Sequence, residues 1–185
     1  MLDLKQIDNS WTLFLDRDGV INKDKNGSYI FNKEEFIFLD GVVEAISKMA
    51  DLFHTIVVVT NQKGVGKGLM SLDDLHSIHH FMLDKIGSAG GKIHKIYYCS
   101  DLEDASPNRK PNPGMAFQAK QDFPSINFSK SIIVGNKLSD MKFGRNAGMF
   151  TVFLATTNPE TVFPNEFTDL RFNTLAEFAD ALTKS

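Results

Sequence analysis

The chain has 185 residues, of which 42% are hydrophobic, and a formal net charge of -3. This length is enough for a well-buried core, and we expect residues 1–185 to form a single domain. A small negative charge without a long lysine or arginine block argues against nucleic acid or an acidic membrane surface as a partner. The lack of a signal-like or membrane-spanning apolar segment, together with a single cysteine, favours a cytoplasmic protein without disulfides.

Five short apolar runs rich in β-branched and aromatic residues predict buried strands. Segments with helical spacing lie between them, and the clearest covers residues 72–86 after the capping-box pair Ser71 and Asp74. An edge strand at 170–172 and a closing helix capped by Asn173 follow. This alternation predicts an α/β fold with a doubly wound parallel sheet in three layers. The five strands are predicted at residues 13–15, 56–59, 93–98, 132–134 and 151–154.

Two polar segments, residues 22–35 and 100–113, interrupt this alternation and are predicted to be loops. Each follows a strand end. Loops after parallel strands meet at one rim of the sheet, so we expect these two to form the mouth of a site.

Two carboxylates, Asp16 and Asp18, follow the first predicted strand. Alternation along an extended chain predicts that both face one pocket while Arg17 points elsewhere. Two acids in one pocket suit a metal, a nucleophile or an acid and base pair.

The other strand ends are also polar. Segment 60–68 offers a hydroxyl, two amides and a glycine-rich turn, which is either an anion cradle or a flexible turn. Arg109 and Lys110 are held between prolines, either for a phosphate or as an ordinary helix start. Asp140 after the fourth strand is a second pocket acid or a first-turn helix acid. Because these features share one rim, they favour a phosphate-binding reaction site.

The four strand ends resemble, in order, the four motifs of the haloacid dehalogenase-like (HAD) phosphotransferase superfamily. The finer resemblance is to the subfamily of D-glycero-D-manno-heptose 1,7-bisphosphate 7-phosphatases and histidinol phosphatases, and it covers nearly the whole chain. It implies a Rossmann-like HAD core with a minimal cap domain or none. The motifs that carry it are Asp16-Arg17-Asp18-Gly19 with Asn22, Thr60-Asn61-Gln62 with Gly-Val-Gly-Lys-Gly, Tyr97-Tyr98-Cys99, Arg109-Lys110-Pro111-Asn112-Pro113-Gly114-Met115 and Lys137-Leu138-Ser139-Asp140-Met141.

The resemblance implies a Mg²⁺-dependent phosphomonoester hydrolase with an aspartyl-phosphate intermediate on Asp16. Asp18 would act as general acid and base, and Lys110 would offset transition-state charge. The implied substrate-binding residues are Asn22, Thr60, Asn61, Gln62, Lys67, Arg109 and Lys137. The implied metal ligands are Asp16, Asp18 through its carbonyl, Asn136 and Asp140.

The sequence departs from the subfamily at two places. Asn136 stands where the family usually has a magnesium-binding aspartate, so we expect weaker Mg²⁺ affinity unless Asp140 compensates. A zinc loop with three cysteines and a histidine is common in the subfamily, but only Cys99 is present here. We therefore predict no zinc. The helix histidines do not replace it, because we expect a solvated face for His76, His79 and His80.

Arg109, Lys67 and Lys137 are cations left over for the rest of the substrate. They favour a sugar bisphosphate, with D-glycero-D-manno-heptose 1,7-bisphosphate ranked first. The resemblance then implies a role in making the heptose precursor of bacterial lipopolysaccharide. Two alternatives stay open: a histidinol-phosphate phosphatase, and a catalytically weak protein that only binds a phosphorylated ligand. We expect a monomer whose partner is a small phosphorylated molecule.

Overall fold

The structure, a computed structural model, describes residues 2–184. Among these residues, six parallel strands form one sheet in the order β3-β2-β1-β4-β5-β6. Strands β1, β2, β4 and β5 each contain a run of buried apolar or β-branched side chains, as expected for strands covered on both faces of the sheet. The strands are β1 (Thr12–Leu15), β2 (Thr55–Asn61), β3 (Lys95–Cys99), β4 (Ser131–Gly135), β5 (Phe150–Leu154) and β6 (Leu170–Phe172).

In the described part of the chain, six α-helices connect and cover the strands. They are α1 (Val42–Ala50), α2 (Lys63–Gly66), α3 (Leu72–Ser88), α4 (Gly114–Asp122), α5 (Leu138–Ala147) and α6 (Leu175–Thr183). Short 3-10 turns cover Leu4–Gln6 and Phe128–Lys130. Within residues 2–184, no helix has the length and apolar character needed to cross a bilayer.

Alternate side chains of the central strands enter two separate cores. Leu13 and Leu15 of β1 pack with helices α1, α3 and α6 on one face of the sheet. Phe14 lies in the second core with apolar residues of α4 and α5. The period-two alternation of a strand therefore builds the three-layer arrangement.

The predicted α/β doubly wound architecture is confirmed. The capping box that was predicted for α3 is present, since Ser71 and Asp74 bond each other reciprocally. The predicted cap of the last helix was one residue too early: Thr174, not Asn173, accepts a hydrogen bond from the Glu177 backbone N–H at 3.1 Å.

In the sheet, β1 is followed by β2 on one side and β4 is followed by β5 on the other side. The connections that begin at the carboxyl ends of β1 and β4 therefore leave in opposite directions. A crevice at such a point is the usual ligand site of an open α/β sheet. β1 and β4 are paired in register from Thr12 with Ser131 to Leu15 with Val134. The segments after these two strands therefore lie side by side.

Candidate active site

A cavity of about 550 Å³ lies at the carboxyl ends of the central strands. Four carboxylates and four cationic side chains line it, so its formal charges balance. Both segments predicted to form the mouth contribute residues. The lining consists of Asp16, Asp18, Tyr29, Thr60, Asn61, Lys63, Asp104, Arg109, Lys110, Pro111, Lys137, Ser139 and Asp140.

A buried lysine joins two carboxylates in this cavity. Lys110 Nζ lies 2.8 Å from Asp16 Oδ1 and 2.7 Å from Asp140 Oδ1, and it also donates to the Val59 carbonyl. Burial raises the pKa of Asp16 to about 6 although Lys110 opposes the shift. Burial alone would lower the pKa of Lys110, but Asp140 and Asp16 outweigh it and the pKa is raised. Lys110 therefore stays a cation between two acids.

Asp140 is fixed from its other side by the start of α5. Its Oδ2 accepts from the backbone N–H groups of Asn136 at 3.2 Å and Lys137 at 3.0 Å. Gly135 packs against this carboxylate so closely that a Cβ there would overlap it. Both oxygens of Asp140 are thus engaged, one by the helix start and one by Lys110.

The carboxylate of Asp18 is held by three side chains. Arg17 Nη2 lies 3.0 and 3.1 Å from its two oxygens, Asn22 Nδ2 donates to Oδ1 at 2.9 Å, and Gln62 Nε2 donates to Oδ2 at 3.0 Å. Burial alone would raise the pKa of Asp18, but Arg17 and the amide donors outweigh it, so the pKa is lowered. The arrangement fixes the carboxylate and favours its ionised form.

One expectation is confirmed here and one is wrong. Asp16 and Asp18 both line the cavity, whereas Arg17 is fully buried outside the lining and bonds the Asp18 carboxylate. His79 is not on a solvated face: it is 6% exposed, and its Nε2 lies 3.2 Å from Arg17 Nη1. Burial and the neighbouring guanidinium lower the pKa of His79 to about 3, so it is a neutral ring. His76 and His80 are exposed, as expected.

Asn61 connects the second strand end to the third. Its side chain donates to the Lys110 carbonyl and accepts from the Lys110 backbone N–H, both at 3.1 Å. Neighbouring Thr60 accepts from Gln62 Nε2 at 2.9 Å. The last two residues of β2 therefore set the position of Lys110 and orient the amide that holds Asp18.

Three of the predicted substrate contacts do not line the cavity. Asn22 and Gln62 are buried and bond Asp18 instead. Lys67 lies on the rim, with Nζ 5.4 Å from the ring centroid of Tyr29. The position of Lys67 in the glycine-rich segment after β2 indicated that it lies near the cavity, but not where its side chain points.

The mouth of the cavity holds charged residues that sequence reasoning did not single out. Asp104 lies 3.1 Å from Arg109 Nε and 3.5 Å from Lys63 Nζ. Lys137 pairs with Asp24 at 2.9 Å. Asp24 and Asp104 lie within the two predicted loops, so the polar composition of those segments was the available signal.

Asn136 tests whether these residues suit a hard divalent cation. It is fully buried, and its Oδ1 has no hydrogen-bond partner among residues 2–184. A carboxylate, an unpaired amide oxygen and a backbone carbonyl such as that of Asp18 are ligands that Mg²⁺ accepts, so the donor types fit this ion. Within residues 2–184 no group of three or more His, Cys, Asp or Glu is arranged to hold a metal. A cation here would therefore use amide or backbone oxygens as well, and the absence of zinc stays a prediction.

The fold and comparisons define the class: this is a HAD-type phosphatase, a phosphoric monoester hydrolase. Residues 12–163 match the family model described as "Polynucleotide kinase 3 phosphatase". The chain belongs to this family of HAD-like phosphatases, as the motif resemblance predicted.

Named relatives and a solved structure agree with this assignment. The chain is 39% identical over 150 residues to the D-glycero-alpha-D-manno-heptose-1,7-bisphosphate 7-phosphatase of Burkholderia mallei, covering 77% of this chain and 78% of that protein. It is 37% identical over 160 residues to the enzyme of the same name from Campylobacter jejuni, covering 86% and 91%. It also superposes on the D,D-heptose 1,7-bisphosphate phosphatase of B. bronchiseptica, solved with magnesium and phosphate, with a TM-score of 0.85, 28% identity and coverage of 94% and 98%.

Proposed function

We propose that this chain is a Mg²⁺-dependent phosphatase that removes the 7-phosphate of D-glycero-α-D-manno-heptose 1,7-bisphosphate. The observation that carries the reaction type is the buried Asp16 carboxylate at the end of β1, 2.8 Å from Lys110 in a cavity open to substrate. The names of the relatives support the substrate, and the magnesium and phosphate in the similar structure support the cofactor.

In the first half-reaction, an Asp16 oxygen attacks phosphorus while the bond from phosphorus to the ester oxygen breaks. The phosphoryl group is then on Asp16, and the leaving alkoxide takes a proton from Asp18. Lys110 offsets the charge that accumulates around the transferring group, and Thr60 supplies a hydroxyl donor to its oxygens. In the second half-reaction, Asp18 removes a proton from water, which attacks phosphorus and releases inorganic phosphate and free Asp16.

The clamp around Asp18 suits both halves. Arg17, Asn22 and Gln62 fix the carboxylate within reach of the cavity, which lowers the entropic cost of each proton transfer. Together these three side chains lower the pKa of Asp18, which favours the ionised form needed to activate water. The incoming phosphate dianion acts in the opposite direction and favours the protonated form needed for the leaving group.

Bound Mg²⁺ supplies the positive charge that offsets repulsion between the Asp16 carboxylate and the phosphoryl oxygens. Asp16, the backbone carbonyl of Asp18 and Asn136 Oδ1 would hold the ion, with Asp140 beside them. The cavity lining is electrically balanced without it, so a dication and a phosphate dianion together preserve the balance.

The charges at the mouth favour a substrate with a second anionic group. Arg109 and Lys63 share a single carboxylate, Asp104, whose side chain is 88% exposed. A second phosphate can displace this exposed carboxylate and bind the guanidinium through two hydrogen bonds. Histidinol phosphate has a cationic amine instead, which these two cations would repel.

A phosphate-release assay with purified protein tests the proposal. The panel contains the α and β anomers of the heptose 1,7-bisphosphate, histidinol phosphate and a 3′-phosphorylated oligonucleotide, each with Mg²⁺ or with EDTA. We expect the α anomer to give the highest kcat/KM, activity to stop in EDTA, and Asp16→Asn to lower kcat by at least about 10³-fold. Inorganic phosphate should appear in equal amount to heptose 1-phosphate.

Other outcomes identify other functions. A preference for histidinol phosphate or for the oligonucleotide would contradict the proposed substrate but keep the phosphatase chemistry. Tight binding of the bisphosphate without turnover would indicate the ligand-binding alternative. Turnover that survives Asp16→Asn would contradict the proposed nucleophile.

A further inference from the structure

In the part of the chain that the structure describes, Asn136 makes one side-chain hydrogen bond, and that bond determines which end of its amide is free. Its Nδ2 donates to Thr157 Oγ1 at 2.8 Å, whereas Oδ1 is buried without a partner. Thr157 lies in the segment after β5, 21 residues along the chain. The unpaired atom is therefore the oxygen, which is the only end of an amide that can bind a cation.

We propose that Thr157 is a positioning residue that fixes the amide of Asn136 so that Oδ1 is available to the divalent cation. This inference rests on the proposed Mg²⁺ dependence. A carboxylate at position 136 would offer oxygen from either end. An asparagine offers oxygen from one end only, so its buried N–H₂ needs an acceptor on the opposite side. Thr157 Oγ1 supplies this acceptor.

Neighbours on both sides of Thr157 hold its segment in place. Thr156 Oγ1 donates to the carbonyl of Gly19, in the turn after β1, and Asn158 Nδ2 donates to the carbonyl of Asn136 at 2.9 Å. These bonds attach the segment after β5 to both strand ends that flank the crevice. The Thr157 hydroxyl is thus held between neighbours that are themselves tied to the site.

Gly19 shows how closely these groups approach. Its φ is +85°, and a Cβ there would overlap Asn136 Nδ2 and lie 2.7 Å from Thr157 Oγ1. Only glycine leaves room at this point for the contact between the amide and the hydroxyl. The local backbone therefore accommodates the arrangement that the cation would require.

A titration with Mn²⁺ alone tests the inference without substrate. Electron paramagnetic resonance measures how much of the ion stays free. Thr157→Val keeps the shape of the side chain but removes the acceptor, and we expect it to weaken Mn²⁺ binding about 10-fold or more. Thr157→Ser keeps the hydroxyl and should bind Mn²⁺ within about 2-fold of the unmodified protein. Thermal unfolding in EDTA checks that both variants are folded.

The decisive control is Thr157→Val in a protein that also carries Asn136→Asp. Because a carboxylate has two equivalent oxygens, Thr157→Val should weaken Mn²⁺ binding much less in the Asn136→Asp protein. Unchanged binding in Thr157→Val alone, or an equal loss in both backgrounds, would overturn the inference while leaving Mg²⁺-dependent turnover intact. If the unmodified protein bound no Mn²⁺ and showed no Mg²⁺-dependent turnover, the proposed function would fail as well.

Discussion

Replacing Lys110 with methionine removes the cation between Asp16 and Asp140 while keeping a similar chain length. Lys110 is 4% exposed and Asp140 1% exposed, so water cannot solvate the carboxylate that loses its partner. Removing one partner of a buried ion pair costs about 3–5 kcal/mol. Since small domains are stable by about 5–15 kcal/mol, Lys110→Met should remove a large part of the free energy of unfolding.

The loss should grow with pH. Without Lys110 the pKa of the Asp16 carboxyl rises further above its unfolded value, from a position that is already raised to about 6. The folded protein then binds more protons than the unfolded chain between the two pKa values, so its stability falls as pH rises through that interval. The difference between the variant and the unmodified protein should therefore be smaller at pH 5 than at pH 8.

Urea unfolding in EDTA at pH 5, 7 and 8 measures this difference. Lys48→Met is the matched control, because Lys48 also forms a 2.7 Å ion pair, with Asp180, but both side chains are about half exposed. We expect no measurable change for the control at any of the three pH values. Equal stability of Lys110→Met and the unmodified protein at pH 8 would refute the neutralising role of Lys110.

Three further predictions follow from other contacts of the site. Arg17→Met should lower kcat about 100-fold because it releases Asp18. The substitution should also raise the pKa of Asp18, which Arg17 lowers, and so move the rising limb of the plot of kcat against pH to higher pH. Apparent Mn²⁺ affinity should fall about tenfold per pH unit below about 6, because protonated Asp16 carries no charge, as a titration from pH 5 to 8 can measure. Gly135→Ala should lower the free energy of unfolding by about 1–3 kcal/mol, because the new Cβ would overlap Asp140.

Each of these predictions has a control. In an Asp18→Asn protein, Arg17→Met should no longer shift the pH profile, and a persistent shift would assign it to another group. Mn²⁺ affinity that is constant down to pH 5 would contradict the raised pKa of Asp16. Gly87→Ala, in α3 with open space around its Cβ position, should instead stabilise the protein by about 0.5–1 kcal/mol.

The strands could be predicted because their apolar runs are short and bounded by polar residues. Their ends were less accurate: β2 continues through Thr60 to Asn61 because β3 pairs with both residues. A ladder of backbone hydrogen bonds can include polar residues, and apolar composition does not reveal that extension. The single domain, the cytoplasmic location and the monomeric state stay predictions.

The sequence contains a signal that His79 is buried, although we expected a solvated face for it. It lies four residues after Leu75, on the face whose members Leu75, Ile78 and Met82 are buried, so helical spacing places it inward. The clamp around Asp18 was not available in the same way. It includes a hydrogen bond from Gln62, 44 positions along the chain, and no local pattern specifies such a contact.

The reaction centre and the mouth of the cavity are built from different parts of the chain. Asp16 directly follows β1, and Lys110, near the end of segment 100–113, bonds the Val59 carbonyl of β2. Tyr29 and Asp104 belong to the loop after β1 and to the earlier part of segment 100–113. Loops accept sequence change more readily than the strands they join. Exchange of residues 25–35 and 100–108 with those of a related phosphatase is thus a route to new ester preferences that leaves Asn22, Lys110 and the rest of the phosphoryl-transfer apparatus in place.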